Sequence, residues 1–201
     1  MEKIAYTLKF NSSFVRRTVV FTAFFAMTIF NCYAQKLTQG SLSFLKGQDT
    51  VHIVLDFDGV TIKGQSEAEY IALEGSRWAE EWEEAKTSDF PNLLIEKLND
   101  NVRGVRFGKN PQASYQATVH VRALKRGGPG PTPGKTIDGP GRFSVDCEVV
   151  FTKTGDSTPL AIISGLNAKS PGLVVPPGFT FKAMAFGGIG QSLGKFITKK
   201  I

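Results

Sequence analysis

Cysteine is almost absent: Cys32 and Cys147 are the only two in 201 residues. With Cys32 assigned to a leader, as argued below, no intramolecular disulfide can form, and the fold has to rest on a hydrophobic core. Histidine is as scarce, limited to His52 and His120, and no nucleophilic triad can be assembled around either. No carboxylate side chain follows Asp156, although Lys169, Lys182, Lys195, Lys199 and Lys200 do. Chemistry that needs a late acidic group has none to draw on. Long apolar runs are missing too. Thr18–Phe30 is 13 residues long and broken only by threonines, against the ~20 a helix needs to cross a bilayer. There is no internal repeat.

That short apolar run is the most informative segment of the chain. Arg16-Arg17 precede it, and Asn31-Cys32-Tyr33-Ala34-Gln35 follow it. A basic stretch, a short apolar one and small residues at Cys32 and Ala34 make a secretory signal cleaved before Gln35. The expected organisation is a signal peptide at 1–34 and a single domain at 35–201, exported to the periplasm or beyond. ATP, NADH and reduced thiols are not generally available there. Lipidation of Cys32 is the alternative, and it wants a small residue where Asn31 stands. Cleavage removes Lys3, Lys9, Arg16 and Arg17 against Glu2, so the formal charge falls from +6 to +3, with 20 basic and 17 acidic residues left. Half the basic excess leaves with the leader, so nucleic acid is not expected as a partner. The basic tail suggests weak contact with anionic envelope surfaces. No transmembrane helix and no cofactor are expected in the mature chain.

Periodicity then sets out the elements. Leu42–Leu45 reads as a short first strand and Val51–Ile62 as a strong one, with Val51, Ile53, Leu55 and Phe57 on one face and His52, Asp56 and Asp58 on the other. Ser66-x-x-Glu69 is a capping box that opens a helix to about Lys86, with Ile71, Trp78, Trp82 and Ala85 inward. A second helix runs from Pro91 to about Asn99, burying Leu94, Ile95 and Leu98. Three strands follow in succession, Ser114–Lys125, Phe143–Thr152 and Leu160–Leu166, and their strict alternation predicts antiparallel pairing. Thr154-Gly155-Asp156-Ser157 is the turn between the last two. A final helix from Thr180 to Thr198 carries Met184, Phe186, Ile189, Leu193 and Ile197. Gly187, Gly190 and Gly194 form a stripe along it, each interior glycine costing about 1 kcal/mol against alanine, and close packing on the sheet is the expected reason.

Several short motifs imitate chemistry. Asp56-Phe57-Asp58-Gly59 at a strand end resembles the first motif of haloacid-dehalogenase-like phosphatases. The resemblance implies Asp56 as nucleophile, Asp58 as general acid/base and Mg²⁺ between them. It also implies a later acidic motif, for which only Asp156 in its turn is available, and a Ser/Thr motif, for which Ser164 comes on the wrong side of Asp156. Gly134-Lys135-Thr136 imitates a P-loop, but Pro129 stands where the first glycine belongs and no helix follows. The segment 127–142 holds six glycines and four prolines and reads as a long excursion between strands, a plausible contact surface. Gly190-x-x-x-Gly194 sits in a helix interrupted by Lys182, Gln191 and Lys195, so packing on the sheet is preferred to membrane dimerisation. Trp78 and Trp82, one turn apart, read as core, Cys147 as a buried inert thiol, and a His52/Asp56/Asp58 metal site lacks diagnostic spacing.

Gly-Ser-Leu-Ser-Phe-Leu-Lys-Gly-Gln at 40–48, the Asp56 strand, the helix with Trp78 and Trp82, three strands and a closing helix ending Leu-Gly-Lys-Phe at 193–196 make an outline. It resembles a group of secreted proteins of unknown function from Gram-negative gut bacteria, and that resemblance implies no activity. The expected architecture is α+β, an antiparallel or mixed sheet of about five strands with helices packed on one face. The expected function is a non-enzymatic exported binding or accessory module, with no catalytic, cofactor-binding or metal residues assigned. The alternative is a Mg²⁺-dependent phosphatase using Asp56 and Asp58.

Overall fold

A computed structural model describes residues 35–126, 143–170 and 180–201. The P-loop look-alike and the Gly/Pro segment 127–142 lie outside these residues, as does the expected leader. The described strands are β1 (Lys36–Gly40), β2 (Thr50–Asp56), β3 (Thr61–Ile62), β4 (Gln65–Ser66), β5 (Arg106–Gly108), β6 (Tyr115–Arg126), β7 (Phe143–Lys153) and β8 (Ala161–Lys169). The helices are α1 (Glu67–Glu74), α2 (Ser76–Thr87), α3 (Asp89–Asn99) and α4 (Thr180–Thr198). The class is α+β with a mixed sheet. It has eight strands where about five were expected, in the order β1-β8-β7-β6-β2-β5, with β3 on β6 and β4 on β3.

Alternating apolar residues make β6, β7 and β8 an antiparallel run, as the pattern predicted. β2 differs: it pairs parallel with both β5 and β6. The helices between β2 and β6 provide the crossover that a parallel pair requires. Val51, Ile53, Ala117, Val119, Val121, Val145, Val149, Phe151 and Ile163 all lie on the core side and are at most 3% exposed. A β-bulge at Arg122 shifts the register between Val121 and Ala123, so Leu124 rather than Ala123 turns inward beyond it.

Three local expectations are corrected. Leu42–Leu45 is not a strand. Lys36–Gly40 is, and Ser43–Leu45 is a single 3₁₀ turn that buries Leu45. The strand expected to run to Ile62 stops at Asp56, where the Asp58 amide turns back onto the Asp56 carboxylate. The helix from Ser66 is broken in two at Gly75, whose φ of 91° lies where a side-chain-bearing residue is strained. The capping box itself is present in full, and Trp82 and Ala85 are buried as expected.

α4 has the expected bounds, and Phe186, Ile189, Leu193 and Ile197 are fully buried, each worth about 1.5–3 kcal/mol of transfer energy. Its glycine stripe does not face the sheet. A Cβ on Gly190 would sit 2.2 Å from the Leu94 carbonyl oxygen, and one on Gly194 would meet Asn101 Cβ and the Leu98 carbonyl oxygen. The stripe lets α4 press on α3. Gly188, off the stripe, is the glycine that approaches the sheet, at Ala168.

Candidate functional site

The Asp56-Phe57-Asp58-Gly59 segment owes its shape to Phe57. Its ring packs among Trp82, Phe90 and Phe186 at centroid distances of 5.5, 6.1 and 6.0 Å, while Phe90 stacks on Phe186 at 4.4 Å. This anchor draws the chain out of β2, and the Val60 amide closes a turn on the Phe57 carbonyl (3.0 Å). The two flanking aspartates are left on the outside. Asp58 is exposed.

Asp56 is engaged at both oxygens. Oδ1 accepts the Asp58 N–H at 2.9 Å, and Oδ2 lies 2.7 Å from His120 Nδ1 on β6. An ionised carboxylate only accepts, so Nδ1 carries the proton in this contact. The Asp58 N–H is the main cause that holds the Asp56 carboxyl below its ordinary range; burial opposes it, and His120 adds to it. The pairing follows from register, since Asp56 lies directly across from His120, and His120 across from Glu148.

The row continues as a polar ladder on the sheet face opposite the core. Arg122, displaced by the bulge, donates to Glu148 (3.3 Å). Lys125 and Asn167 both reach Asp146. Acidic and basic groups alternate along this ladder, so it presents hydrogen-bonding capacity rather than a net field.

The structure brings together few of the residues singled out from sequence. His52 lies four residues before Asp56 on the same strand, ~13 Å at strand rise, and its Nδ1 contacts the Gly108 carbonyl oxygen instead (3.4 Å). Ser164 is on β8, three strand spacings from Asp56, or ~14 Å. Asp156 sits in the turn at the far end of β7, its Oδ1 accepting the Thr158 N–H (2.8 Å). Among the described residues no group of three His, Cys, Asp or Glu side chains is placed to hold a metal ion. Trp78 stacks on Trp82 at 5.3 Å, and the Trp82 indole N–H donates to Glu67 (2.5 Å). Cys147 is buried, and burial pushes its thiol far above the ordinary range.

Residue types alone did not pick out His120 as the partner of Asp56. Asp56 falls on the polar face of its strand and His120 alternates with the buried Val119 and Val121 on β6, and only the parallel register joins the two, 64 positions apart in sequence. Lys182 was missed as well. Its ammonium lies 4.8 Å from the centre of the Trp78 ring and 5.8 Å from that of Phe143, and burial lowers its pKa to about 8. Nothing in its sequence neighbourhood signals this.

Among the described residues no helix is long and apolar enough to cross a membrane. No protein-family model matches the chain, and no curated protein matches it. Among solved structures the chain is similar to the PelC dodecamer from Paraburkholderia phytofirmans in two crystal forms. Both are 12% identical over 81% of this chain and 97% of the other, with TM-scores of 0.40 and 0.42.

Proposed function

We propose that the domain is an exported, non-catalytic binding or accessory module of the cell envelope or its surroundings. Helices packed on one face of the sheet leave the polar ladder of β2, β6, β7 and β8 facing outward as the recognition surface. The state of Asp56 carries the proposal. A nucleophilic carboxylate turns its oxygens toward metal and phosphorus, whereas Asp56 directs Oδ1 to the Asp58 amide and Oδ2 to His120, and among the described residues no set of three ligating side chains gathers around it to hold a metal ion. The sequence of the leader supports export.

One observation favours the phosphatase alternative: Asp56 ends a strand that runs parallel to β5 and β6. A generic phosphate ester with Mg²⁺, given to the exported wild type and to Asp56→Asn, separates the two. The binding module turns over no ester in either form. Mg²⁺-dependent hydrolysis that Asp56→Asn abolishes would establish the phosphatase instead. The amino terminus of the exported material reads the compartment: Gln35 supports cleavage after Ala34, and acylated Cys32 a lipoprotein.

A further inference from the structure

The carboxyl-terminal half of α4 and the turn at Lys199-Lys200 that follows it carry a stripe whose residues share one face. Ser192, Lys195, Phe196 and Lys199 fall at spacings of three, four and seven, which places them in line. Lys200, at the next step from Phe196, holds its ammonium 5.9 Å from the centre of that ring. Lys195, Lys199 and Lys200 are exposed, half-buried Phe196 lies among them on the same face, and half-buried Ile201 follows Lys200 and packs against the core. None of the three lysines has a carboxylate within ion-pair distance among the described residues. At the start of the same stripe the Gln35 side-chain amide donates to Ser192, so the residue expected to open the mature chain lies there, followed by the exposed Lys36.

We propose that this stripe is a docking surface for an anionic lipid bilayer. The reading rests on export of the domain, since it needs the envelope as its setting. Charge complementarity carries it. Exposed cations gathered at one helix end attract anionic headgroups, and half-exposed Phe196 among them, with Ile201 next to Lys200, suits the headgroup boundary, where an apolar ring gains from contact with acyl chains. A nucleic-acid backbone would use the lysines but have no use for the apolar pair. Several other surface cations are paired, Lys86 with Glu67 and Glu83, Lys97 with Glu96 and Asp100 and Arg122 with Glu148, and exposed Lys46, Lys109 and Lys153, which make no ion pair, lie on separate elements rather than together on one face.

The test is co-sedimentation of the exported protein, carrying Cys32→Ser so that no acyl chain contributes, with vesicles of about 30% phosphatidylglycerol in phosphatidylcholine at ~0.1 M salt, where screening is moderate. Wild type partitions onto these vesicles and is released by neutral phosphatidylcholine vesicles or by ~0.5 M salt. Each lysine at the surface is worth about fivefold in partitioning, so Lys195→Gln/Lys199→Gln/Lys200→Gln lowers it about a hundredfold. A control triple of equal charge, Lys46→Gln/Lys109→Gln/Lys153→Gln, lowers it no more than about twofold, because those exposed side chains lie on other elements. Wild type that ignores anionic vesicles, a control triple that falls as far as the first, or tighter binding to duplex DNA than to vesicles at the same salt each overturns the proposal. Export is read separately from the amino terminus of the same material. A chain that keeps Met1 in the cytosol overturns the export reading, whereas vesicle binding lost with normal processing overturns the docking surface alone.

Discussion

Gly190 shows how much one missing methyl group decides. Its α-carbon faces the Leu94 carbonyl of α3 so closely that an added Cβ would lie 2.2 Å from the oxygen and 3.0 Å from the carbon. Both atoms belong to helix backbone, which cannot swing aside as a side-chain tip can. Gly190→Ala is therefore expected to cost about 1–3 kcal/mol through overpacking, although alanine is the better helix former. Lys195→Ala, on the exposed side of the same helix, is expected to change stability by no more than about 0.5 kcal/mol. Urea melts of the two variants measure both. A neutral Gly190→Ala would mean that α3 and α4 do not approach as described. The need for close approach was legible in Gly187, Gly190 and Gly194. Its target was not, because α3 has no matching small residue to mark the partner side.

At the scale of elements, β5 shows how a short edge strand is kept quiet. It pairs with β2 on one side only, so Phe107 would present an unpaired N–H and C=O on the other. The Asn99 side chain at the end of α3 fills that place. Its Oδ1 accepts the Phe107 N–H and its Nδ2 donates to the Phe107 carbonyl, both at 2.9 Å. The amide stands in for the missing neighbouring strand. Asn99→Ala removes both bonds and is expected to destabilise by about 1–3 kcal/mol. It should also speed hydrogen exchange at the Phe107 amide relative to its β2 neighbours. Unchanged stability and exchange would show that water replaces the amide without cost. A three-residue strand with one buried residue has no periodicity to read, which explains why β5 was absent from the expected elements. By contrast, the capping box at Ser66 and the long apolar spacing of α4 are local signals, and both elements begin where those signals place them.

Over the whole molecule, alternation identified β6, β7 and β8 and their hairpin order, since each neighbour in sequence is also a neighbour in space. It could not place β2 between β5 and β6, because parallel pairing depends on where the intervening helices return the chain. The candidate site depends on that return, and so His120 was legible only as a residue on a polar face. Charge burial is another property that appears only in the assembled domain, and it gives a pH dependence. Lys182 on α4 faces Trp78 and Phe143, with Lys63, Glu74 and Glu81 nearby. Burial first, then Lys63, lowers its pKa to about 8, against the pull of the two glutamates. The unfolded chain keeps that proton to about pH 10. Above pH ~8 the unfolded state therefore binds more protons, and stability rises with pH. Cys147 acts in the opposite sense: its buried thiol stays protonated while the unfolded thiol ionises near pH 8.5–9. The rise is confined to about pH 8 to 9 and amounts to about 1 kcal/mol. Urea unfolding between pH 7 and 10 should show it in wild type. Lys182→Met should remove the rise and leave only the fall above pH ~9, while Cys147→Ala should extend the rise toward pH ~10. Identical pH profiles for wild type and Lys182→Met would show that the Lys182 ammonium is solvated in the folded protein, and that its place over the Trp78 ring is not a buried one.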